Sequence, residues 1–197
     1  MNIAFVLFPD FEELDFAGPW EVFGMATKYI DTTWRPYTVA AEREVRGFLG
    51  LCVRVDYTFA EAPKPDLVVV PGGVGTRAGM QDEALIGYLR SAAAGAQHVA
   101  SVCTGALLLR AAGVLEGKRA TTQWGARKEL AGLGGVEIVD ARWVQDGNIV
   151  TAAGVSAGID MALYMVGQLK TPEDAKKVQR FMEYDPQPPY ADVPALF

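Results

Sequence analysis

Residues 98–113 read HVASVCTGALLLRAAG, and the reading of this stretch decides the fold. It opens as a short apolar run bounded by polar residues, the pattern of a buried strand. From Thr104 onward it turns to helix formers, and Gly113 supplies the stop. Cys103 stands at the join. A side chain on so sharp a strand-to-helix turn is thrust out of the sheet, and small neighbours, here Ser101 and Gly105, let the backbone bend. The pattern is that of a nucleophile elbow with cysteine in place of serine. The N–H groups and positive dipole end of the following helix face the sulfur, which favours thiolate. Cysteine is also among the most buried residue types, so a packing role for Cys103 stands beside the catalytic one.

Working outward, residues 2–8 and 66–71 (DLVVVP) are continuous apolar runs, as strands covered on both faces are. Further strands are expected over 37–41, 51–55 and 136–139, with 115–122 running into another. The second of these pairs with a neighbour through a turn around Gly47 and Gly50. A hairpin over 142–152 turns at Asp146-Gly147. Residues 9–14 read as an acidic loop, and Pro19 opens a helix ending before Asp31. Other helices are expected over 83–94 and 126–131, from a Ser156 cap through Lys170, and from Thr171-Pro172-Glu173 through Tyr184. The proline-rich residues 186–194 read as an extended tail. Strands alternating with helices predict one three-layer α/β domain over residues 1–197, a mostly parallel sheet with helices on both faces.

Ligands of such sheets sit at the carboxyl ends of the strands. Three marked segments fall there: Asp15 after the first strand, Gly72-Gly73 after DLVVVP, and Cys103. Glycines let backbone approach a ligand closely. A phosphate loop is a rival reading, opposed by the lack of a following Lys-Ser or Lys-Thr pair; a plain strand-to-helix turn is another. Asp15 reads either as a site carboxyl or as a cap for the helix at Pro19. Phe11, Phe16, Trp20 and Trp124 read either as core or as the apolar lining of a pocket.

The bulk properties narrow the function. The 197 residues are 50% hydrophobic with a formal net charge of −6, and no basic stripe occurs, which argues against nucleic acid as a partner. The N-terminus lacks a basic leader region and no apolar run reaches membrane-spanning length, so a soluble, cytoplasmic protein without a membrane partner is expected. Two cysteines and the lone His98 make neither a disulfide framework nor a zinc cluster; no metal and no cofactor is expected, and Cys52 reads as strand packing.

Four segments carry a resemblance: FPDFEELDFAGPWEVF (8–23), VVVPGGVGT (68–76), SVCTGALLLRAAGVLEGKRATTQW (101–124) and GNIVTAAGVSAGIDMAL (147–163). Together they resemble the ThiJ/PfpI superfamily, whose fold is like that of class I glutamine amidotransferase domains, with the isonitrile hydratase branch nearest in pattern. The resemblance implies a flavodoxin-like homodimer acting on a small molecule, with Cys103 as nucleophile and Asp15 as the nearby carboxyl; Thr104 matches the threonine of the hydratase branch. Related sequences carry histidine where Gln123 stands, so cysteine–histidine hydrolysis of amides is not supported. The implied reaction is attack of Cys103 on the terminal carbon of an isonitrile, protonation at nitrogen, and hydrolysis of the thioimidate to an N-substituted formamide. Asp15 is the proton shuttle, protonated with a raised pKa if the thiolate holds the charge. Thr104 and the Gly72 and Gly73 N–H groups position the substrate. The alternatives are a non-catalytic cysteine-based redox or ligand sensor and another superfamily activity such as glyoxalase or deglycase. The homodimer is expected to use the acidic loop and first helix, where Phe11, Phe16 and Trp20 cluster.

Overall fold

A computed structural model describes residues 1–190. Its main sheet is built from β1 (Asn2–Val6), β2 (Arg35–Ala40), β5 (Tyr57–Thr58), β6 (Leu67–Val70), β7 (His98–Val102), β10 (Trp143–Asp146) and β11 (Ile149–Ala152). The spatial order is β10-β11-β7-β6-β1-β2-β5. Every neighbouring pair is parallel except β10–β11, the hairpin that turns at Gly147 with φ +63°. β1, β6 and β7 are the inner strands, buried on both faces after their first residues. That is why all three read as unbroken apolar runs.

Helices cover both faces. On one lie α1 (Glu13–Tyr29), α6 (Ala157–Leu169) and α7 (Pro172–Phe181), packed on one another. On the other lie α2 (Thr76–Gly79), α3 (Glu83–Gly95), α4 (Gly105–Ala111) and α5 (Arg127–Gly132). The core beneath α1 is aromatic: Phe5 on β1 meets Phe16, Trp20 and Phe23 edge-on at 5.2–6.2 Å between ring centres. Among the described residues no helix is long and apolar enough to cross a membrane.

Several elements differ from the sequence expectation. α1 begins at Glu13, six residues before Pro19, so Asp15 lies in its first turn rather than in a loop. Proline removes one bond from a helix interior. Burial of Gly18 and Pro19 against α6 overrides that local signal, for a Cβ on Gly18 would stand 2.8 Å from Ile159 Cγ1. The strands expected over 51–55 and 115–122 form, but outside the main sheet. β4 (Cys52–Arg54) pairs with β3 (Glu44–Arg46) as a hairpin, and β8 (Lys118–Ala120) pairs in parallel with β9 (Val136–Ile138). Cys52 is exposed on that hairpin, which corrects the expectation that it packs a strand. Ser156 occupies the N-cap of α6 without a capping bond; Thr171 does cap α7, its hydroxyl accepting from Asp174 N–H at 3.1 Å. Residues 186–190 are irregular, and 191–194 of the expected tail lie outside the described residues.

Candidate active site

β7, β6 and β1 are consecutive in the sheet, so the loops at their carboxyl ends meet. The three segments marked in the sequence therefore converge on one edge. Cys103 follows β7 with φ +56°, the left-handed region that a residue with a Cβ enters only under constraint, at a cost of order 1–3 kcal/mol. Its N–H is shared between the carbonyls of Ala152 and Ala153, 3.1 Å from each, at the end of neighbouring β11. Gly105 lets the turn close: a Cβ there would stand 2.4 Å from the Val70 carbonyl oxygen.

Asp15 is fully buried, yet it caps nothing in its own helix. Glu12 holds the N-cap position, and its N–H donates to the Gly72 carbonyl at 2.8 Å. The Gly72 N–H in turn donates to Asp15 Oδ2 at 2.9 Å. Both polar groups of this one glycine are thus held by the first turn of α1. Gly72 admits no side chain, because a Cβ would lie 2.5 Å from Thr104 N and 2.8 Å from Cys103 Cβ. The glycines after β6 therefore serve to bring three loops into contact, with Gly73 at φ +124°.

Asp15 Oδ1 is buried without a hydrogen bond of normal geometry, while the carboxyl and the Cys103 thiol lie close enough to perturb each other. Burial pushes the Asp15 carboxyl up to about 8; the Gly72 N–H opposes the rise and the Glu12 carboxylate adds to it. Burial, then the neighbouring Asp15, push the Cys103 thiol up as well, against the Thr104 N–H and hydroxyl. The helix end alone would favour thiolate, but α4 has only seven residues and desolvation outweighs it. Burial therefore biases both groups of the resting pair toward their neutral forms, and as close neighbours they titrate as a unit.

Thr104 is buried beside the sulfur. Its hydroxyl accepts from Gly73 N–H at 2.9 Å and donates to the Gly73 carbonyl at 3.1 Å. With one proton to give, it bonds either that carbonyl or the sulfur. His98 lies at the opposite end of β7 from Cys103, and Gln123 packs its stem on Gly154. Phe11 and Phe16 are core, stacked edge-on at 5.9 Å, whereas Trp124 is exposed. Among the described residues no cluster of histidine, cysteine and carboxylates could hold a metal ion.

Two contributors were not legible in the sequence. Glu12 adds its charge to the field at Asp15. Thr122 donates its hydroxyl to the Cys103 carbonyl at 2.6 Å. The adjacent Thr121-Thr122 pair at the end of a strand was the available signal, but nothing local shows that this strand end lies against the elbow.

A cysteine on a strained elbow, paired with a buried carboxyl and a threonine hydroxyl, is equipped to add sulfur to an electrophilic carbon and to move a proton beside it. Comparison with known proteins places the chain in a family. The model of the DJ-1/PfpI family matches residues 1–168, and the chain belongs to that family. It is similar to the isonitrile hydratase of Pseudomonas putida, with 40% identity over 191 residues, 96% of this chain and 81% of that one. A deglycase of Pyrococcus horikoshii is 30% identical over 77% of this chain and 89% of its own. The crystal structure of a ThiJ/PfpI family protein from Pseudomonas syringae superimposes with a TM-score of 0.90 at 35% identity, covering 98% of this chain and 78% of that one.

Proposed function

We propose that this chain is an isonitrile hydratase-like enzyme, a hydro-lyase that adds water to R–NC to give an N-substituted formamide. The observation that carries the reading is 40% identity to an isonitrile hydratase over nearly the whole chain, with Cys103, Asp15 and Thr104 gathered at one strand edge. The atom balance corrects one detail of the expected chemistry: the formyl hydrogen of the product sits on carbon, so the first proton goes to carbon and not to nitrogen. Protonated Asp15 gives its proton to the isonitrile carbon, the Cys103 sulfur bonds that carbon, and the thiol proton passes to Asp15. The intermediate is R–N=CH–S–Cys103. Water then adds to the carbon while nitrogen takes a proton, and the tetrahedral species expels the thiol to leave R–NH–CHO. No net charge is created, which suits a pair that burial biases toward its neutral forms. Thr104, placed by Gly73, donates to sulfur as charge develops there.

The homodimer is kept, on a different surface. Phe11 and Phe16 are core, so the surface proposed for a partner is the exposed Leu14 together with the hairpin-tip residues Phe48, Leu49 and Leu51. Glu13 joins the two patches, its Oε1 accepting from Leu49 N–H at 2.6 Å and Leu51 N–H at 3.3 Å. The free thiols of Cys52 and Cys103 favour a reducing, cytoplasmic setting.

The test is turnover. Purified reduced protein is given an aryl and an alkyl isonitrile, and formamide is followed. Cys103→Ala is expected to abolish turnover with an unchanged thermal melt. Absence of formamide from the reduced wild type would sink the proposal.

A further inference from the structure

A residue with a Cβ stays at φ +56° only where both of its flanking peptides are held. The peptide before Cys103 is held by β11 through the bonds from the Cys103 N–H to Ala152 and Ala153. The peptide after it has no such strand neighbour. The first carbonyl bonded into α4 is that of Thr104, which accepts from Leu107 N–H at 2.9 Å. The Cys103 carbonyl, one residue earlier, is bonded by the buried hydroxyl of Thr122 at 2.6 Å. Thr122 is itself fixed by its neighbour: Thr121 N–H donates to Thr151 Oγ1 on β11 at 2.8 Å, and the Thr121 hydroxyl donates to the Ala141 carbonyl at 3.1 Å.

The peptide that Thr122 grips is the one whose other end is the Thr104 N–H, and that N–H acts on the Cys103 thiol, opposing the rise that burial imposes. A peptide is planar, so fixing its oxygen fixes the direction of its hydrogen. A donor on the oxygen also polarises the amide and strengthens the N–H as a donor in turn. We propose that Thr122 is a positioning residue for the Cys103 nucleophile: its hydroxyl sets the 103–104 peptide so that the Thr104 N–H points at sulfur and stabilises the charge that develops there. The proposal rests on Cys103 being the nucleophile. It adds a residue that touches neither substrate nor sulfur.

The experiment compares Thr122→Val, which keeps the shape and removes the hydroxyl, with Thr122→Ser, which keeps the hydroxyl. Both are made in a Cys52→Ser background, because Cys52 is exposed and would compete for reagent. Alkylation of Cys103 by iodoacetamide is followed over about pH 6 to 10, alongside the thermal melt. Thr122→Val is expected to slow alkylation by roughly tenfold at every pH in that range, with Thr122→Ser within about twofold of the parent. With isonitrile as substrate, kcat falls in the valine variant while KM changes little. If the valine chain does not fold, Thr122→Ala provides the same readout. An unchanged alkylation profile in the valine or alanine variant overturns the proposal, as does equal loss in valine and serine variants. Alkylation needs no isonitrile, so slowed alkylation in a protein without turnover would sink the hydratase reading and leave this one standing.

Discussion

Asp15→Asn tests the buried carboxyl directly. The folded chain holds the Asp15 proton up to about pH 8, while the same group in the unfolded chain releases it near its ordinary value of 3.8. Below about pH 4 the two states bind the proton alike. As pH rises from there the unfolded chain gains by ionising and the folded chain does not, so the wild type loses stability up to about pH 8. Each pH unit is worth 1.36 kcal/mol, so at pH 7 the penalty approaches about 4 kcal/mol as an upper limit. Asparagine has no proton to lose, and its side-chain oxygen still accepts the Gly72 N–H that Oδ2 accepts now. The variant is therefore expected to be more stable than wild type, by an amount that grows by up to about 2.7 kcal/mol between about pH 5 and 7. Urea unfolding of both chains at the two pH values measures it. Isonitrile turnover falls by at least about a hundredfold, because the amide cannot shuttle the proton. A stability difference that is the same at both pH values, or an asparagine variant with wild-type turnover, would refute the reasoning.

Three further expectations follow from particular contacts. Gly72→Ala forces a Cβ to within 2.5 Å of Thr104 N, so it displaces the elbow; a loss of about 1–3 kcal/mol in urea unfolding and near-complete loss of turnover are expected. Ser101 carries a fully buried hydroxyl with no hydrogen-bond partner, so Ser101→Ala is expected to be neutral or to raise stability by up to about 2 kcal/mol, with the melting temperature as readout. Light scattering at micromolar concentration is expected to give a dimer mass, and Leu49→Lys at the hairpin tip a monomer mass.

The inner strands and the helix stop at Gly113 were readable along the chain, because their signals are local: unbroken apolar runs for β1, β6 and β7, and a left-handed glycine at φ +81° after α4. So was the candidate nucleophile, since the elbow is a short sequence pattern. The start of α1 was misplaced because proline is the loudest helix signal in that stretch, while packing against α6 sets the true course of the helix. The place of β8 outside the main sheet was likewise hidden, since a three-residue strand looks the same wherever it pairs.

The chemistry of the site divides in the same way. The identities of Cys103, Asp15 and Thr104 were determined by the sequence, along with the lack of any histidine at that sheet edge. Their relation was decided by the tertiary structure. Strand order sets β6 between β1 and β7, and the bare backbone of Gly72 lets the three loops close to hydrogen-bond distance. Burial then biases both acids toward their neutral forms, against the thiolate that the helix end alone would favour. The physical reason is range. Propensity and turn chemistry act over a few residues and are written along the chain, whereas desolvation depends on everything packed around a group, and most of that arrives from distant sequence.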